Sequence, residues 1–262
     1  MCVRVDVTWP GSLVPLGKEG ILVEGSHPQA ENGALSRDTW KERGVGWLDV
    51  LLVIVVYLFV SLLVGTAIGL LGPALVSTAG VLLIFTANAA AAIAGVGIVV
   101  VARRHLSAAS VGLRRVSTRW LLIGVGLGLV GWLLTRGVVL AYFWITGDTT
   151  NPQAGLANAA QGTFAQFALT LLVAGLAVPF GEELLFRGVL YTWLRRWGVV
   201  IATLGSALVF GINHGINVVF PATVVLGLLL AFAYERSGSI WPGVVGHVFY
   251  NLLVFSAARL LL

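Results

Sequence analysis

Apolar stretches of about 20 residues follow one another from residue 46 to the end of the chain, and they limit the possible fold more than any other feature. At a helical rise of ~1.5 Å per residue, one such stretch covers the ~30 Å of a bilayer's hydrocarbon layer. The stretches lack the apolar–polar alternation of a barrel strand, so the spanning form is the helix. Composition agrees, because 58% hydrophobic and 10% charged residues at a mean hydropathy of +0.96 cannot supply an ordinary soluble surface. The sequence predicts an all-α, polytopic transmembrane helical bundle of about seven spans, at 46–70, 75–102, 119–147, 162–195, 198–214, 218–235 and 239–261.

Residues 1–44 differ in character from the rest of the chain. "LGKEG", "SHPQAENG" and "SRDTWKERG" mix Gly, Pro and both signs of charge, which predicts a disordered polar tail. The tail lacks a signal peptide's order of basic segment, apolar core and small-residue cleavage site, so the first apolar run is expected to act as an internal anchor. Residues 45–160 form a first set of transmembrane helices and 161–262 a second. The lone Cys2 has no cysteine to pair with in the chain. A net charge of +5 invites a nucleic-acid reading, but the positive residues sit between apolar runs: Arg103, Arg104, Arg114, Arg115 and Arg119 in one loop, Arg195 and Arg196 in another, Arg236 in a third. Topology explains them better, and no nucleic-acid partner is expected. The loop "TGDTTNPQAGLANAAQG" carries no Lys or Arg. The expectation is a multi-pass protein of the cell membrane, N-terminus cytoplasmic and C-terminus outside. Trp9, Trp40, Trp47, Trp120, Trp197 and Trp241 read as interface anchors. Gly126, Gly128 and Gly131 have a GxGxxG spacing, but no strand precedes them, so they read as a close helix contact through small residues.

Within the spans, three polar clusters need an explanation. In "VPFGEELLFRGVL", Glu183 and Arg187 are four apart in the favourable order for a helical ion pair, while Glu182 is turned about 100° away. Pro179 and Gly181 predict a kink just before the acids. "FGINHGIN" carries His214 four residues after Phe210, and "HVFYN" sets His247 and Asn251 on one helical face. A structural ion pair explains Glu183 but leaves Glu182 unexplained, while the second and third clusters taken alone have an ordinary interfacial or packing explanation. Counted from the expected cytoplasmic ends, however, Glu182, His214 and His247 lie at about 20, 24 and 15 Å, within reach of one layer. Cysteine catalysis is excluded by Cys2's place in the tail, and no acid sits near Ser206 and His214 in a serine-type pattern. Two carboxylates and two imidazoles suit activation of a water molecule, by a general base or on a metal. Arg136, inside the third span, reads as a snorkelling or structural cation, or as one that tunes the site's charge.

These residues resemble the CAAX prenyl protease and bacteriocin-processing (CPBP, or ABI) family of intramembrane endopeptidases, whose pattern EExxxR, FxxxH, HxxxN is matched by "EELLFR", "FGINH" and "HVFYN". The resemblance covers roughly residues 162–261 and makes 161–262 a CPBP-like catalytic core. It implies that Glu182 is the general base on the attacking water with His214 assisting. It further implies that His247 and Asn251 stabilise the oxyanion, and that Glu183 and Arg187 form the orienting ion pair. Metal-free hydrolysis is the favoured form because HExxH is absent; a zinc ion would fall to Glu182, His214 and His247. The implied substrate is a peptide or membrane protein, prenylated or not. The rivals are a non-catalytic scaffold or immunity-type protein, and a small transporter, for which the chain shows only one Pro-Gly interruption.

Overall fold

A computed structural model describes residues 40, 42–71, 78–103, 105–148, 150 and 153–261. The expectations for Cys2, Trp9, Arg104 and the first 39 residues lie outside the described residues. Among the described residues every regular element is helical. The helices are α1 (Trp47–Leu71), α2 (Thr78–Ala102), α3 (Thr118–Thr146), α4 (Ala154–Gln161), α5 (Phe164–Trp197), α6 (Val199–Asn213), α7 (Val219–Ser237) and α8 (Trp241–Leu261). Six of them are long and apolar enough to cross a membrane. The remaining expected span, α6, has 15 residues and rises about 22 Å, short of ~30 Å of hydrocarbon. It stops at His214, where Gly215 takes a φ of 92° that few side chains tolerate.

One end of the bundle collects the basic loops. There Arg103 pairs with Asp49 at 3.0 Å, Arg195 makes a forked contact with Glu235 at 2.8–3.1 Å, and Ser239 Oγ donates to the Arg114 carbonyl. The last residues of the expected tail are packed against this end. Arg43 is buried, donating to Tyr234 Oη at 2.6 Å and the Gly238 carbonyl at 2.7 Å. Trp40 is 2% exposed, with its ring between the Arg43 guanidinium and the rings of Tyr191 and Tyr234. Trp40 is therefore a core residue and not an interface anchor, because a guanidinium and two phenols at the helix ends give an aromatic ring a better partner than the interface.

At the opposite end, the stretch expected to be a loop contains α4, which buries Leu156, Ala159 and Ala160. Arg259 of α8 donates to the carbonyls of Ala160 and Gly162 at 3.0 Å each, satisfying the end of α4. Thr163 then starts α5 with a capping box to Gln166.

Two glycine contacts set the register that matters for the site. Cβ atoms at Gly124 and Gly128 of α3 would strike the carbonyl oxygens of Pro242 and Gly246 on α8, so the two backbones touch. Of the spacing Gly126-x-Gly128-x-x-Gly131, Gly128 and Gly131 are in contact, while Gly126 has nothing within 4 Å. On α5, a Cβ at Gly181 would lie 3.1 Å from the Ala89 carbonyl, which brings α2 against the turn that carries the acids.

Candidate active site

Around Pro179 and Gly181, where the sequence predicts a kink, α5 carries two π-helical segments, Val173–Ala177 and Glu183–Tyr191, on either side of the α-helical Val178–Glu182. Wide π-helical turns of this kind re-aim side chains within a helix. Glu182 ends the α segment and Glu183 opens the second π segment, so the adjacent acids diverge.

Glu183 faces the protein interior. Its Oε1 accepts from Arg187 Nη1 at 2.7 Å and from His247 Nδ1 at 3.3 Å, while its Oε2 is buried without a partner against Gly243. Arg187, fully buried, also donates to the Gly227 carbonyl at 3.0 Å and lies 4.8 Å from the centre of the Phe210 ring. That ring meets His214 and His247 as well, at centroid distances of 4.7 and 5.6 Å. Phe210 is thus a wall that fixes both imidazoles and the guanidinium.

Glu182 faces a cavity. Its Oε1 lies 3.6 Å from His214 Nε2 and its Oε2 3.7 Å from His247 Nε2, and neither oxygen accepts a hydrogen bond from a described residue. The other nitrogen of each ring is committed. His214 Nδ1 lies 2.9 Å from the Phe210 carbonyl, which can only accept, and His247 Nδ1 faces the Glu183 carboxylate. In each neutral ring Nε2 is therefore a lone pair. An acceptor facing an acceptor cannot bond directly, which is consistent with separations beyond hydrogen-bond length. A water molecule, with two protons to give, complements such a pair.

A cavity of about 110 Å³ is lined by Glu182, His214, His247 and Asn251 together with Arg136 and Gln153. The structure thus brings all four residues implied as catalytic to one space, beside the Glu183–Arg187 pair. Asn251 Nδ2 donates to the Ala174 carbonyl at 2.8 Å in the first π segment, which leaves its second amide hydrogen uncommitted. A second opening, on the side of α1 and α2, is lined by Tyr57, Phe85, Asn88, Asn213 and Glu182. Tyr57 donates to Asn213 Oδ1 at 3.2 Å, and Ser61 to Asn88 Oδ1 at 2.6 Å. Tyr57, Asn88 and Gln153 were not among the residues expected from sequence, although Tyr57 and Asn88 are polar interruptions of apolar runs that could have marked them.

A zinc ion would need its three donors to converge on one point. Each imidazole instead addresses its own oxygen of Glu182. Among the described residues no group of three or more His, Cys, Asp or Glu side chains is placed to hold a metal ion. The three donors, as placed, do not fit a zinc site.

The fold and this constellation define a polytopic membrane protein with an acid and two imidazoles on a cavity inside its apolar layer. Residues 164–253, which include every motif position above, match the family described as "Type II CAAX prenyl endopeptidase Rce1-like", a match consistent with the CPBP resemblance. The chain is also similar to the "Putative membrane peptidase YdiL" of Bacillus subtilis (strain 168), at 26% identity over 146 residues. That alignment covers 55% of this chain and 57% of the relative, so the chain matches little more than half of the relative's length. No solved structure matches the chain. Family and relative together support a membrane protease.

Proposed function

We propose that this protein is an intramembrane endopeptidase that hydrolyses a peptide bond of a membrane-associated substrate with a water molecule held by Glu182 and His214. The observation that carries the reading is the division of labour between adjacent acids: Glu183 is neutralised by Arg187, while Glu182 meets two imidazoles across open acceptor positions on a cavity. A water donating to Glu182 Oε1 and His214 Nε2 turns its own lone pair toward a carbonyl in the cavity. As it attacks, its proton passes to Glu182. The developing oxyanion is met by the free amide hydrogen of Asn251 and by His247. His247 gives Nδ1–H to Glu183, so it donates from Nε2 to the oxyanion only as the imidazolium. Glu182 then returns the proton to the leaving amine. The side chains supply each step, so we propose a metal-free, glutamate-based mechanism.

The test is cleavage of a panel of membrane peptides by the reconstituted protein, with and without a chelator. Wild-type activity that survives the chelator and is lost in both Glu182→Gln and His214→Ala supports the reading. Chelator sensitivity would return the reaction to a zinc ion on Glu182, His214 and His247. Folded variants that keep the protein's cellular effect would favour a non-catalytic scaffold or immunity-type role, since an amide at 182 still hydrogen-bonds but cannot take a proton.

A further inference from the structure

The cavity that holds Glu182 continues into a larger one of about 510 Å³ between α3, α4, α7 and α8, with Val139, Gln153, Leu156, Val254 and Phe255 lining both. Arg136 also lines both. It sits on α3 ten residues before Thr146, or about 15 Å from that end of the helix, deep for a side chain that has to reach water. Its side chain is exposed on the protein surface that the apolar layer would surround, whereas the buried or docked arginines have acceptors: Arg43 has Tyr234 and Gly238, Arg187 has Glu183 and Gly227, and Arg259 has Ala160 and Gly162. Among the described residues Arg136 has no hydrogen-bond or ion-pair partner. The walls around it are mainly apolar, and the one acid on the shared cavity is Glu182, which the proposed reaction uses. A lone cation in an apolar layer is costly, and such residues usually mark a pathway or a bound counter-ion.

We propose that Arg136 binds a carboxylate of the peptide substrate, so that the larger cavity is a subsite for an acidic group a few residues from the bond cleaved. The inference rests on the protease reading above. A guanidinium presents a planar fork that matches a carboxylate's two oxygens, and an apolar surround strengthens that contact. The carboxylate comes either from a free C-terminus or from an Asp or Glu side chain. Because the two cavities are continuous, a group held at Arg136 fixes the register of the chain past Glu182.

The experiment uses the full chain carrying Glu182→Gln, which separates binding from turnover, in phosphatidylcholine vesicles. Three short apolar peptides with the same photo-crosslinking group are compared: one ending in a carboxylate, one ending in an amide, and one amidated with an internal Glu. Crosslinking of one or both carboxylate-bearing peptides is expected to exceed that of the plain amide by about tenfold. The preference should vanish when Arg136→Gln is added and persist in part with Arg136→Lys, which also serves if the Gln variant fails to fold. Equal capture of all three peptides, capture of none, or a preference that survives Arg136→Gln overturns the proposal. So does an Arg136 effect that appears only when phosphatidylglycerol is added and ignores the peptide's terminus, which would assign the guanidinium to lipid phosphate. Wild-type protein that cleaves the three peptides equally keeps the protease and removes the subsite. An Arg136-dependent preference without cleavage of any peptide by wild type keeps the subsite and removes the protease.

Discussion

Glu182 and Glu183 are neighbours in sequence and the same residue type, yet their replacement by Gln should have opposite consequences. Glu183 and Arg187 have fully buried side chains 2.7 Å apart. An amide at 183 still accepts from Arg187, so the geometry can persist, but the guanidinium's charge loses its compensation in a place water does not reach. Removing one partner of a buried pair costs about 3–5 kcal/mol. In a chain of this size that lowers the melting temperature by about 6–20 °C. Glu182 accepts no hydrogen bond from a described residue and faces a cavity, so Glu182→Gln should change stability by no more than about 1 kcal/mol. It should instead lower the cleavage rate by about 10²–10⁴-fold, the usual worth of a placed general base. Intrinsic fluorescence melting in detergent, read from the chain's 9 tryptophans, and peptide cleavage in vesicles give the two numbers on the same preparations. The reasoning is refuted if Glu182→Gln loses as much stability as Glu183→Gln, or if Glu183→Gln melts with the wild type.

Two other perturbations probe the supports of the site. A Cβ at Gly243 would lie 2.6 Å from Glu183 Oε2, well inside contact distance, and the carboxylate cannot retreat without disturbing Arg187 and His247. Gly243→Ala is expected to cost about 1–3 kcal/mol and to reduce cleavage. Gly126→Ala, with open space around it, should stay within about 0.5 kcal/mol, and equal melting temperatures for the two variants would disprove the close contact. Arg43→Ala removes two hydrogen bonds and the contact with Trp40, an expected loss of about 2–4 kcal/mol in detergent melts. An unchanged melt would mean that the segment at 40–45 is not docked.

The spans were legible because a membrane allows few alternatives: each expected boundary falls within a few residues of a helix end, since composition alone decides where apolar sequence stops. The meeting of Glu182, His214 and His247 was legible from depth, because a constant rise per residue turns sequence distance into height. What escaped depends on partners far along the chain. Arg43 is held by residues 191 and 195 positions away, and nothing in "SRDTWKERG" announces them. Helix α4 is secured by Arg259 and by the burial of small side chains, while its own sequence, "AGLANAAQ", reads as a polar connection. The ion pair Glu183–Arg187 followed from i,i+4 spacing, but that His247 would give its Nδ1–H to the same carboxylate did not. Ring orientation is set by the packing of three helices.

The two halves of the chain therefore contribute differently to the site. Every residue implied in the chemistry lies within 164–253, the segment that matches the family, whereas Tyr57, Phe85, Asn88, Arg136 and Gln153 lie before it and wall the approaches to Glu182. On the proposed reading, hydrolysis needs the same base and the same oxyanion donors whatever the substrate, which would tie those groups to α5, α6 and α8 and to the π segments and glycines that aim them. Selection of a substrate needs only walls, and walls can be changed without moving a catalytic atom. The cavity's polarity follows this division: paired charge behind the acid, an acid at the surface of the cavity, and a cation on the wall it shares with the larger cavity. If the protein is the protease proposed above, changes to the residues before 160 that line the cavities should alter which peptide is cut, and changes around Glu182 should alter whether any is.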